Sequence, residues 1–280
     1  MAYDKFKANV MAKAIQKERD RSAVLIQDCN REYEGLVKGV GDSVTIKGAG
    51  IVNVDTVSNG IETQFQEPQV VEGTSSILTI KHISKFNFMV SDIDKEQGAG
   101  GALALYQEQA GKKLSNEQDK LVASMASDPL AVKLGANATK ATADNVLTLI
   151  DQGIQKLWEA DVPQNERLIL NVSPRLYMLI KQNYTALDTN NSEMLKRGAV
   201  AMYGNVDIKM SNNIATANDG ATDLIMLRTN KAIAFANPLT KIEAKRANNY
   251  MADEIRGEAL YDAKLVLPKE MFVLNLKYTD

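Results

Sequence analysis

The chain has 280 residues, 45% hydrophobic and 24% charged, with 33 basic and 35 acidic side chains and a formal net charge of -2. That length suits one or two compact units with a sizeable core, and the composition excludes a disordered chain. The charge balance argues against a dedicated duplex-DNA binder, which needs a basic footprint, without forbidding a protein that merely faces nucleic acid.

Cys29 is the single cysteine, so no intrachain disulfide holds the fold. No apolar run of about 18 residues occurs, and no spanning helix is expected. The charged start, Met1 to Lys7, lacks the apolar segment of a secretory signal. The expectation is a protein made and kept in a cytoplasm-like compartment.

Residues 4–34 predict a charged helix with Phe6, Val10 and Ala14 on one face and Met11 and Ile15 beside them. The flanks are Lys13, Lys17, Glu18, Arg19, Asp20 and Arg21. So thin a face buries little by itself. The stretch reads either as an arm that docks on a neighbour or as a solvated terminal helix.

From Gly35 to about residue 90 the period is two, with Val44 and Ile46, then Ile51 to Val57, then Leu78, Ile80, Phe86, Phe88 and Val90. The polar stretch Ser58 to Ser75 makes this a long two-stranded excursion. A hairpin of that length is marginal in water and needs a partner surface.

Residues 92–127 predict a helix carrying Leu103, Tyr106, Leu114, Leu121 and Met125, its start loosened by Gly98, Gly100 and Gly101 and ended by Asp128-Pro129. Gly111 weakens it by about 1 kcal/mol relative to Ala. An amphipathic helix follows, with Val146, Ile150, Ile154 and Leu157 in one stripe, and Pro163 closes it. Leu168 to Leu170 read as a buried strand, and Ser173-Pro174 as the cap and first position of another helix. Strands are then expected at 206–210, 224–227 and 232–235, around Ile242, at 258–266 and at 271–276. Strand alternating with helix defines an α/β layer within an α+β chain.

No catalytic constellation is visible. His82, the one histidine, sits in a period-two strand and reads as a satisfied strand residue; Cys29 reads as a small buried hydrophobe. One His and one Cys are too few for a zinc site. Gly39-Val40-Gly41 is followed by a strand instead of the helix a dinucleotide loop requires. Gly111-Lys112-Lys113 lacks the rest of a phosphate loop, and no nucleophile elbow occurs. No catalytic, metal-binding or cofactor-binding residue is assigned. The alternating signs of Lys241, Glu243, Lys245, Arg246, Asp253, Glu254, Arg256 and Glu258 fit ion pairs across subunit interfaces or a solvated charged face.

Three ordered segments carry a resemblance. Asn30-Arg31-Glu32-Tyr33-Glu34-Gly35, leading into Val40-Gly41-Asp42-Ser43-Val44-Thr45-Ile46, is similar to a stretch of tailed-bacteriophage major capsid proteins. Lys85 to Gln97, with Asp92, Asp94 and Gln97, resembles their aromatic strand before the spine helix. Gly204 to Ile214 looks like a strand of their apical domain.

The resemblance implies the Hong Kong 97-like capsid fold: an N-arm at 1–34, then a peripheral domain at 35–139. That domain would hold an extended β-hairpin loop at about 48–80, lying over the adjacent subunit, and a spine helix at about 96–127. An axial α/β domain would span 140–235, and residues 236–280 would return to the peripheral domain. The expected function is a structural subunit that forms hexamers and pentamers of an icosahedral shell around phage double-stranded DNA, touched non-specifically. The protein would be assembled in the host cytoplasm and reside in the virion.

A separate scaffolding protein and a portal are the expected assembly partners, and no motif licenses Lys–Asn cross-linking. Intersubunit contacts are expected at Arg31, Tyr33, Glu62, Glu67, Glu72, Lys245, Arg246 and Arg256. The competing readings are an encapsulin-like compartment around protein cargo and, more remotely, a soluble α/β enzyme or binding protein.

Overall fold

A computed structural model describes residues 13–48, 75–93, 101–134, 137–186 and 202–278. Helix α1 (residues 13–22) is followed by two single 3-10 turns, Ile26–Asp28 and Glu34–Leu36. Strands β1 (Ser43–Lys47) and β2 (Ser75–Thr79) pair antiparallel, and β3 (His82–Ser91) continues from them. The long helix α2 (Gly101–Ser124) runs into a 3-10 turn, Met125–Ser127, and stops at Asp128 ahead of Pro129.

The short strands β4 (Val132–Lys133) and β5 (Thr139–Lys140) lead to helix α3 (Val146–Glu159), strand β6 (Leu168–Val172) and helix α4 (Pro174–Ala186). Ser173 Oγ accepts the N–H of Leu176 at 3.4 Å, as a capping residue does. Strands β7 (Met202–Tyr203), β8 (Val206–Met210), β9 (Thr216–Ala217), β10 (Thr222–Thr229), β11 (Ile233–Arg246), β12 (Ala252–Leu265) and β13 (Met271–Lys277) complete the order.

Eight strands form one sheet in the order β4-β13-β10-β6-β8-β7, with β5 on β13 and β9 on β10. Both faces are covered, which is why β6 and β10 are buried along their whole length, Asn171 and Arg228 included. Side chains alternate along β10. Ile225 and Leu227 face Val146, Ile150 and Leu157 of α3 with Leu176 and Ile180 of α4. Leu224 and Met226 face Leu25, Ile26, Val122 and Ala126 on the other side.

The second sheet is a three-stranded ribbon, β11-β12-β3. Fourteen residues per long strand span about 45 Å. The register shifts between Ala236 and Leu239, at Asn237-Pro238, so β11 is bulged where the ribbon leaves the body. β12 runs unbroken through that point.

Residues 236–280 therefore divide between the two sheets. Most of β11 and β12 form the ribbon, whereas β13 pairs with β10 in the large sheet.

One expectation is corrected. Helix does not run through residue 34: it ends at Ser22, and Ile15, Leu25, Ile26 and Cys29 are buried against the chain's own α2 and β10. Residues 13–34 are thus seated on their own subunit. The buried face of α2 includes Leu114, with Leu121 and Met125 packed against the same core as expected, but it is broader than the apolar spacing implies. Tyr106 is 45% exposed, while Ser115, Gln118 and Asp119 are buried with Leu114 and Val122. Asp119 occupies this face because it receives the backbone N–H groups of Val24, Leu25 and Ile26.

Candidate subunit interface

On one face of the ribbon, directly opposed residues form rows across β3, β12 and β11. Lys85 lies opposite Glu258 and Glu258 opposite Lys241; Asn87, Arg256 and Glu243 form the next row, and Met89, Glu254 and Lys245 the third. Every opposed pair between β11 and β12 in these rows joins a base to an acid, the arrangement that cross-strand electrostatics favours. Asn87 Nδ2 donates to Glu254 Oε1 at 2.8 Å, and Arg256 stands 3.9 Å from Glu254. The opposite face is apolar: Phe86 lies across Gly257, and Phe88 packs 5.9 Å, centroid to centroid, from Tyr106 of α2.

At the free end, Arg246 forks between Asp92, with Nη1 2.8 Å from Oδ1, and Asp253 at 3.2 Å. These carboxylates raise the guanidinium pKa above its usual value. Beyond the fork, residues 247–251 carry no charge. Tyr250 is 68% and Met251 82% exposed, with Met89 and Ile93 exposed beside them.

The other end of the ribbon roots the β1–β2 pair. Ile46, Leu78 and Ile80 pack on Ala234, Ala236 and Leu260. Asp262, buried, accepts the N–H of Lys81 at 3.0 Å and lies 3.2 Å from Nδ1 of His82, whose ring stacks on Tyr261. His82 is therefore a partnered strand residue. Residues 49–74 lie outside the described residues, and with them Glu62, Glu67 and Glu72. In sequence that segment holds Asp55 and those three glutamates and no Lys or Arg.

Arg31 is engaged within the subunit, 2.9 Å from Glu34, which in turn accepts the N–H of Asn237 at the bulge at 3.2 Å. Tyr33 packs half-buried on the hairpin root. Lys245 and Arg256 are exposed on the ribbon face; Arg246 is in the fork. The uncharged tip was missed in the sequence. Its signal is a five-residue gap between strands of alternating charge.

A buried polar seat holds the residues after α1. Asp119 accepts the N–H groups of Val24, Leu25 and Ile26 at 3.0, 3.1 and 3.2 Å, three successive donors converging on one carboxylate. Arg228, fully buried in β10, donates to the carbonyls of Leu25 at 3.0 Å and Asp28 at 2.5 Å and to Asn171. Burial pushes the Asp119 carboxyl above its ordinary pKa against the pull of its three N–H donors, and burial likewise raises the Cys29 thiol, the state of an inert core cysteine.

No protein-family model matches the sequence, and no curated protein does. Solved structures do. A structure from Mycobacterium phage Che8 is 26% identical over 90% of each chain, with a TM-score of 0.72. The capsid of cyanophage P-SCSP1u is 15% identical over 92% of this chain and 89% of its own, at 0.68. A virus-like particle from Pyrococcus furiosus is 14% identical over 96% and 99%, at 0.60. The chain has the Hong Kong 97-type capsid fold. It is similar along about nine-tenths of its length to phage major capsid proteins, a structural and non-enzymatic class.

Proposed function

We propose that this chain is the shell-forming major capsid protein of a tailed phage. It assembles with copies of itself into hexamers and pentamers of an icosahedral shell around double-stranded DNA, in the host cytoplasm, with a scaffolding protein and a portal. The carrying observation is the match to the Che8 structure, which spans 90% of both chains. The subunit's exposed surfaces agree with it. A ribbon with a mixed-charge face and an uncharged, exposed tip gives each copy distinct contact surfaces, as heterologous ring contacts require.

In this reading the unit at 140–235 surrounds the capsomer axis, and the acidic segment 49–74 lies on the adjacent copy. Expression with a candidate scaffold, followed by negative-stain microscopy, tests the proposal; large closed particles are expected, and only small discrete oligomers under all such conditions would overturn it. The nearly complete mutual coverage with the Pyrococcus furiosus particle keeps a compartment around protein cargo as the second reading. DNA inside purified particles supports the first, and a co-purifying enzyme the second.

A further inference from the structure

Residues 23–30 form a strap across the subunit, gripped by charges at their backbone. Leu25 donates its N–H to Asp119 and offers its carbonyl to Arg228, so one residue lies between a buried carboxylate and a buried guanidinium. The two charges also act on each other, Arg228 favouring the ionised form of Asp119. Taking the partner from a buried charge is strongly unfavourable. Mutual pairing of Asp119 and Arg228 would offset that cost once the strap is displaced.

The seat is also incompletely satisfied. Ser115 Oγ, one helical turn before Asp119, and Asn171 Nδ2, on the amide that Arg228 contacts, are buried with no hydrogen-bond partner. Unpaired buried groups of this kind raise the free energy of the seated state. The remaining polar holds are at the strap's downstream end: Lys209 on Asp28 at 2.7 Å, and the backbone bonds of Asn30 with Ile233 and Phe235 at 2.9 Å each.

We propose that the strap is a two-state element, seated as seen here or released with α1, and that Asp119 and Arg228 close on each other in the released state. On the shell reading, assembly draws on the released state, freeing residues 13–30 for a neighbouring copy; that last step rests on the shell reading, and the two-state seat does not.

Native-state hydrogen exchange on the free subunit tests the seat. The amides of Val24, Leu25 and Ile26 are expected to open together, at least about tenfold faster than those of Ile225 and Leu227 in β10. Asp28→Asn removes the Lys209 ion pair and leaves Asp119 and Arg228 in place. It is expected to speed the strap amides a further tenfold or so, with the β10 amides and far-UV circular dichroism unchanged. Strap amides that exchange only together with β10, in both proteins, overturn the proposal.

In purified particles the same amides are expected to lose the pattern set by the seat, and an unchanged pattern overturns release on assembly. Microscopy reads particle formation separately. A subunit that never assembles counts against the shell reading, while exchange in the free subunit still decides the strap.

Discussion

Gly111 shows how a residue that weakens a helix can be required by packing. A Cβ there would stand 2.9 Å from the carbonyl oxygen of Ile15 and 3.1 Å from the N of Arg19, so α1 backbone lies directly on α2. Helix propensity alone favours Gly111→Ala by about 1 kcal/mol. The clash is with backbone and cannot be relieved by a rotamer, so the expected outcome is a net loss of about 1–3 kcal/mol, as in other overpacked sites. Urea denaturation reads it, with faster exchange in residues 13–22.

Asp119→Ala leaves the N–H groups of Val24, Leu25 and Ile26 without their acceptor. A loss of about 3–5 kcal/mol is expected, of the order seen when one member of a buried pair is removed. A loss below about 1 kcal/mol, the range of exposed pairs, would show that the seat carries no such load.

The elements differ in how legible they were. α3, β6 and the Ser173-Pro174 start of α4 follow from apolar period and capping chemistry, because each helix has one apolar face against the sheet and β6 is buried along its whole length. β11 and β12 were read as shorter, separate strands. Their outward residues are charged, Pro238 interrupts one and Gly257 the other, and only the pairing of Lys241 with Glu258 and Glu243 with Arg256 joins them into a ribbon. The break after Ser22 was not legible, because what ends the helix is Asp119, 97 positions further along.

A charge swap tests the ribbon. Arg256→Glu places two carboxylates opposite each other. It is expected to cost the subunit less than about 1 kcal/mol, since the pair is exposed, while particle yield falls sharply. Adding Glu243→Lys restores the opposed pair within the subunit, and particle yield then reports whether the neighbour reads the pattern or only the strand.

At the scale of the whole molecule, surfaces that are idle in one copy become the prediction. Deleting residues 58–75 should leave a folded subunit, since β1 and β2 are anchored through Ile46, Leu78 and Ile80, but one that builds no stable shell. Sedimentation and microscopy distinguish that from normal assembly. Tyr250→Ser with Met251→Ser alters only exposed side chains, so thermal stability should hold while shells fail or form in the wrong size. Legibility at this scale was uneven as well. The capsid-like segments around Tyr33, Phe88 and Asp207 pointed to the fold, whereas composition and spacing alone offered no catalytic constellation and no sign of a shell.

The grip on residues 24–26 has an evolutionary consequence. Asp119 takes their peptide N–H groups and Arg228 the carbonyl of Leu25, so neither reads a side chain there. A lock that recognises only main chain lets the locked sequence drift. Across shells that share the fold at identities as low as 14–15%, superposed structures should keep an acid and a base at these two places while the letters between Ala23 and Asp28 change freely.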